Sequence, residues 1–266
     1  MDKEYIKKLA EDPRFIPGIY NYCDRWCERC PFTSRCMNFA LSEEQFDDPQ
    51  ARDIHNEAFW QKLHEVFQVT LEMVKETAKG QGIDLDSIDL QAVTGEEKNI
   101  RDAAENHECC RAAKAYGQVV KNWFDSANQL FEQKADDLSL QARLELPDSD
   151  PAKEASSLRS SVDVIRWYQH FIYVKLVRAI RGTLEETPPS LEEFPKDADG
   201  SAKVALIAID RSIAAWGQMR EYFPQRRDNI LDILVHLDRL RRRTETTFPD
   251  ARAFVRPGFD DANKRG

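Results

Sequence analysis

A chain of 266 residues with 41% hydrophobic side chains has enough apolar mass for a sizeable core in one or two domains, which excludes general disorder. Its 38 Lys and Arg against 47 Asp and Glu give a formal charge of −9, which repels phosphate backbones and anionic lipid and argues against general nucleic-acid or membrane-surface binding. Only ten residues are glycine, below the usual ~7%, which disfavours turn-rich sandwiches and barrels and favours long helices.

The opening Met1-Asp2-Lys3-Glu4-Tyr5 lacks the apolar run of a secretory signal, and no later stretch supplies the ~18 uninterrupted apolar residues of a membrane span. The expectation is a cytoplasmic protein whose thiols stay reduced. Residues 1–40 are predicted to form a Cys-rich, metal-binding lobe, carrying Pro13, Pro17, Gly18 and Pro31 among aromatic side chains. Four of the six cysteines lie between Cys23 and Cys36, spaced C-x3-C-x2-C-x5-C. If Cys23 to Cys30 is helical, offsets of four and seven put three sulfurs on one face. Pro31 then breaks the turn and Cys36 loops back as a fourth ligand.

Soft thiolates select zinc, copper(I) or iron–sulfur clusters. Structural zinc usually takes two C-x2-C knuckles set well apart, whereas this segment has one C-x2-C flanked by unequal loops. A four-iron cluster, 4Fe-4S, spreads its ligands more widely, and all-cysteine ligation is its rule. Cys23, Cys27, Cys30 and Cys36 are therefore the expected metal ligands, with zinc as the alternative and Trp26, Tyr22 and Phe32 as screening side chains.

The stretch from Cys27 to Cys36, C-x2-C-P-x4-C, resembles the last three ligands of the iron–sulfur loop in helix-hairpin-helix DNA glycosylases. The likeness covers this loop alone. That family has six residues between its first two cysteines where this chain has three, and its catalytic Asp after a hairpin has no counterpart here. Cys23, Cys27 and Cys30 are also similar to the C-x3-C-x2-C signature of radical S-adenosylmethionine enzymes, which implies an iron left open for substrate within an α/β barrel. Cys36 closes that iron here and no alternating strand–helix pattern occurs, so neither activity is carried over.

The remainder reads as all-α, an up-and-down bundle of about five long helices over 41–247, followed by a tail, 248–266, folded back on the bundle. Helices are predicted at 50–79, 97–137, 153–186, 201–222 and 225–247, bounded by Gly80-Gln81-Gly82, a capping box at Thr94-Gly95-Glu96-Glu97, Asp150-Pro151, Thr187-Pro188-Pro189, Asp199-Gly200-Ser201, Phe223-Pro224 and Phe248-Pro249. In the first helix, Phe59, Leu63, Val66, Phe67, Thr70 and Val74 mark a buried face. The second carries Ala113, Val120, Phe124, Ala127 and Phe131 and then turns polar at Cys109, Asn106, Glu105 and Asp102. The third carries Leu158, Val162, Ile165, Ile172, Leu176 and Ile180, interrupted by Gln169, with Trp167, Phe171 and Val174 opposite. The last two are expected to pack as an antiparallel pair.

None of His55, His64, His107, His170 and His236 follows a carboxylate by three residues, which excludes the Glu-x-x-His pattern of di-iron bundles. His64, His107 and His236 are expected in solvent and adjacent Cys109 and Cys110 in the core. The run Arg239-Leu240-Arg241-Arg242-Arg243 suits the negative end of a helix dipole, with an anion or partner site as the minor alternative that Arg252, Arg256, Lys264 and Arg265 extend. No phosphate-binding loop, dinucleotide fingerprint, nucleophile elbow or H-E-x-x-H motif occurs.

The leading expectation is a cluster protein acting in electron transfer, redox sensing or structural support, with a redox or protein partner. A zinc-stapled interaction module is the alternative. A bundle enzyme with a pocket between the second and third helices, lined by Asp102, Glu105 and Gln169, is the third.

Overall fold

The computed structural model describes residues 3–46, 48–87, 89–144, 149–185 and 196–260, and among these it is all-helical, with no strand. The predicted stop at Thr187-Pro188-Pro189 and the basic residues Lys264 and Arg265 lie outside the described residues. No described helix is long and apolar enough to cross a membrane. Contacts divide the chain into one unit of Met1–Glu97 with Val255–Gly266 and a second of Lys98–Phe254, whereas the sequence places boundaries after residues 40 and 247.

The first unit contains α1 (Lys3–Ala10), α2 (Met37–Gln45), α3 (Pro49–Arg52) and α4 (Glu57–Gly80). Asn56 starts α4 by accepting a hydrogen bond from the Ala58 amide at 3.0 Å, as an N-cap should. Gly82, at φ +71°, ends it as the Gly80-Gln81-Gly82 signal predicts, with the Ile83 amide reaching the Ala78 carbonyl at 2.9 Å. The predicted buried face is only partly correct. Phe59, Leu63 and Val66 are half-buried, while Phe67, Thr70 and Val74 are exposed. Lys3 and Lys7 of α1 pair with Glu76 of α4.

The second unit takes in the end of α5 (Leu90–Asn106), then α6 (Glu108–Asp125), α7 (Asn128–Leu144), α8 (Pro151–Leu184), α9 (Asp197–Tyr222) and α10 (Arg227–Thr247). The single helix predicted over 97–137 is thus three. His107 stops the first by turning extended and capping α6, its ring accepting from the Cys109 amide at 3.2 Å. At the second break the Ser126 hydroxyl donates to the Trp123 carbonyl at 2.9 Å, competing with the helical backbone bonds there. The predicted capping box lies inside α5, because Asp89 upstream accepts from the Gln91 and Ala92 amides at 3.0 and 3.1 Å. Asp150 and Pro151 start α8 as predicted, with Asp150 accepting from the Lys153 amide at 3.0 Å. Gly200 and Ser201 are not a boundary but buried residues of α9.

The core of this unit lies where α8 packs on α9, α6 and α7, and α10 packs on α9 and α6. Tyr116, Ile165, Tyr168, Ile172, Leu176, Ile209, Trp216 and Ile230 are fully buried. Contact between α6 and α8 is close at Gly117, where an added Cβ would stand 3.1 Å from both the Gln169 carbonyl oxygen and the His170 ring. Gly117→Ala is therefore expected to destabilise by about 1–3 kcal/mol despite alanine's better helix propensity. Gly217→Ala, with open space at its Cβ, should instead stabilise by about 0.5–1 kcal/mol. Urea unfolding of the two variants checks the opposite signs.

Residues 248–254 stay with the second unit: Phe248 and Ala251 are buried and the Phe254 carbonyl accepts from Lys203 Nζ at 2.5 Å. From Val255 the chain belongs to the first unit, so the predicted tail over 248–266 divides at that point.

Candidate metal centre

Cys23, Cys27, Cys30 and Cys36 are all half-buried free thiols, and all four line one pocket of the first unit. The expected helix through the first three is absent. In its place stand 3₁₀ turns at Ile19–Asn21, Cys27–Arg29 and Thr33–Arg35, the last running into α2 with Cys36 as its N-cap residue. The interruption is local. Asp24 accepts from the Trp26 amide at 3.2 Å, and the residue between them, Arg25, sits in the left-handed region at φ 58°. A residue at positive φ cannot continue a right-handed helix, so a straight helix across Cys23 to Cys30 is replaced by a bend, at a cost of about 1–2 kcal/mol for a non-glycine residue.

Backbone bonds then fix the loop. Cys30 N–H donates to the Cys27 carbonyl at 3.1 Å, Cys36 N–H to the Thr33 carbonyl at 3.2 Å, and Ile16 N–H to the Arg35 carbonyl at 3.0 Å. Cys30 Sγ accepts from the Phe32 amide at 3.4 Å, while Cys23 Sγ donates to the Tyr20 carbonyl at 3.5 Å. An amide aimed at a sulfur is the kind of contact that stabilises a thiolate. Burial first, and then the charges of Cys23, Cys30 and Cys36, push the Cys27 thiol above its usual range. Burial likewise raises Cys30, opposed by the Phe32 amide.

Ile19, Tyr20, Trp26, Phe39 and Phe259 supply the apolar walls. Of the three predicted screens only Trp26 lines the pocket, with the Arg29 guanidinium over its ring at 4.0 Å. Phe32 acts indirectly, meeting Phe259 edge to face at 5.1 Å. The void between these groups is about 20 Å³, room for about one water. Among the described residues, no group of three or more His, Cys, Asp or Glu side chains is close enough together to hold a metal ion as it stands. The donor chemistry, four thiols on one pocket, fits a thiophilic metal.

The remaining candidates fall elsewhere. Cys109 and Cys110 are fully buried in the second unit, as expected for core thiols. Burial, followed by Cys109 and Glu105, pushes Cys110 from 9.0 up to about 12. Burial also pushes Tyr116 to about 12 from 10.0. Both groups favour the neutral form on folding, so their stabilisation is complete below pH 9 and is lost as pH rises towards about 12. Stability measured across that range should fall, and fall less in Cys110→Ala.

Asp102 is exposed, whereas Glu105 is half-buried; burial first, and then the charge of Glu105, push the Tyr173 phenol of α8 above its usual range. A cavity of about 590 Å³ in this unit lies instead along α7 and α8, against Phe131, Leu138, Leu158, Val162, Arg159 and Arg166. His64 is exposed as expected, but His107 is the cap described above. His236 donates to the Ala112 carbonyl at 2.8 Å and stacks on Tyr116. In the arginine run, Arg241 and Arg242 pair with Asp238, Arg243 lies 3.7 Å from Glu108, and Arg252 bridges Asp210 and Glu245. Each of these four arginines therefore has a carboxylate beside it.

The chain matches no family model, no curated protein and no solved structure.

Proposed function

We propose that Cys23, Cys27, Cys30 and Cys36 hold an iron–sulfur cluster, 4Fe-4S, in a cytoplasmic protein that serves electron transfer, redox sensing or structural support. One observation carries the reading: the four clustered thiols line a single pocket with aromatic and aliphatic walls. The cysteines would ligate through sulfur, the Phe32 amide would hold Cys30 in place, and Trp26 and Phe39 would limit access of water. A bound cluster supplies one-electron chemistry. With four thiolates committed to ligation, no iron is left open for substrate, which favours a conduit, sensor or staple with a redox or protein partner over catalysis at the metal.

A second reading is structural zinc in the same shell, stapling a module that docks another protein. It is favoured by the small void of about 20 Å³, which asks less rearrangement of a single ion than of a four-iron core. The longer and unequal loops of the C-x3-C-x2-C-x5-C spacing favour the cluster. Protein purified without oxygen is expected to be brown, with broad visible absorption that bleaches on reduction by dithionite. Colourless protein carrying zinc would overturn the cluster in favour of the second reading.

A further inference from the structure

Phe259, far from the cysteines in sequence, lines their pocket at the end of a short segment, residues 255–260. This short segment is folded on itself. Arg256 clasps Asp260 through two guanidinium bonds of 3.0 Å, with the Asp260 amide returning to the Arg256 carbonyl at 3.1 Å. Both charged side chains are largely buried, at 15% and 23% exposure, which makes this pair stiffer than a surface salt bridge. The Arg256 guanidinium also lies over the Phe259 ring at 4.8 Å.

The clasp presents two residues to the cysteine loop. Gly258 is buried at φ +76°, and an added Cβ would stand 2.9 Å from Ile16 Cδ1 and 3.0 Å from Ile19 Cδ1. Both isoleucines are themselves buried, so the close approach and the positive φ together demand glycine. Phe259 then reaches the pocket lined by the four thiols and packs on Phe32, two residues beyond Cys30. The segment lies more than two hundred residues from the ligands along the chain and meets their loop through the Phe259–Phe32 and Gly258–isoleucine contacts.

We infer that residues 255–260 are a detachable part of the metal centre, so that docking of this segment and occupancy of the four-cysteine site reinforce each other. The inference rests on the proposed metal site but holds for either metal. Its physical basis is linkage. A ligand that binds better when the segment is docked must strengthen docking by the same factor. The docked ring covers the site from water, and supporting residues around a metal typically change its retention by about 10–100-fold. Loss of metal therefore weakens docking of the segment by that factor, giving the chain a readout of occupancy that another protein can sense.

The test compares the full-length protein, loaded anaerobically with iron and sulfide or with zinc alone, with its metal-free form. Hydrogen exchange in 255–260 should slow on loading. Phe259→Ala and Gly258→Val should bind the same amount of metal yet lose it to a chelator about tenfold or more faster, with 255–260 exchanging rapidly in both. Helical circular dichroism equal to that of the parent shows that each variant is folded. The inference is overturned if the loaded parent exchanges as rapidly there as the metal-free form, or if both folded variants retain metal as the parent does. A parent chain that takes up neither metal overturns the metal site itself and this coupling with it.

Discussion

Cys30→Ser protein, loaded without oxygen, is expected to lose its metal, while Cys110→Ala retains it at the parent level. Cys30 lines the pocket from the end of the Cys27–Arg29 turn, with its sulfur held by the Phe32 amide. A serine oxygen there is harder, less readily ionised and closer to the backbone, so a soft metal loses one of four ligands. Loss of supporting contacts alone weakens metal sites by about 10–100-fold, and loss of a ligand should exceed that. Cys110 is the matched control. It is fully buried in the second unit, its thiol is pushed up to about 12, and it stays neutral at any pH at which the metal would be assayed. Metal retained at full stoichiometry by Cys30→Ser would overturn the ligand assignment.

The largest expected stability loss is at Trp216. Its ring is fully buried, meeting Trp123 edge-on at 5.1 Å and Phe124 at 6.2 Å. Its indole N–H donates to the Tyr116 hydroxyl oxygen at 3.0 Å inside the core. Trp216→Ala opens a cavity worth about 3–5 kcal/mol and removes a buried hydrogen bond worth about 1 kcal/mol more. For a unit of this size that corresponds to a Tm lower by roughly 10 °C or more. Trp216→Phe keeps most of the packing and should lose about 1–3 kcal/mol. Phe67→Ala, at a ring 63% exposed on α4, should change stability by no more than about 0.5 kcal/mol. Equal losses in Trp216→Ala and Phe67→Ala would contradict the placement of the core.

What could be read in the sequence follows the range of the interactions responsible. Asp150-Pro151 and Gly80-Gln81-Gly82 mark helix ends through contacts within four or five residues, and both act as predicted. Thr94-Gly95-Glu96-Glu97 has the composition of a cap, but Asp89 meets the same need earlier and α5 runs through it. The breaks at His107 and Ser126 carry neither glycine nor proline, so periodicity alone passes over them.

At the candidate site, the thiol spacing made the four cysteines legible as a set. Their conformation was not, because it turns on Arg25 adopting a φ of 58°, which a glycine would have advertised and an arginine does not. Phe259 sits in the Arg256-Pro257-Gly258-Phe259 stretch of the tail expected to fold back on the bundle, but nothing local tied it to the cysteines. Gly258 beside it is the one clue, and only the buried Ile16 and Ile19 explain why a glycine stands there. His236 escaped for a related reason: its place off the main apolar stripe suggests solvent, yet a carbonyl on α6 meets its ring.

Quantifying iron, acid-labile sulfide and zinc in one preparation made without oxygen tests the central claim most directly. About four iron and four sulfide per chain, with little zinc, is the result this account requires. Iron and sulfide both absent from folded protein would contradict it.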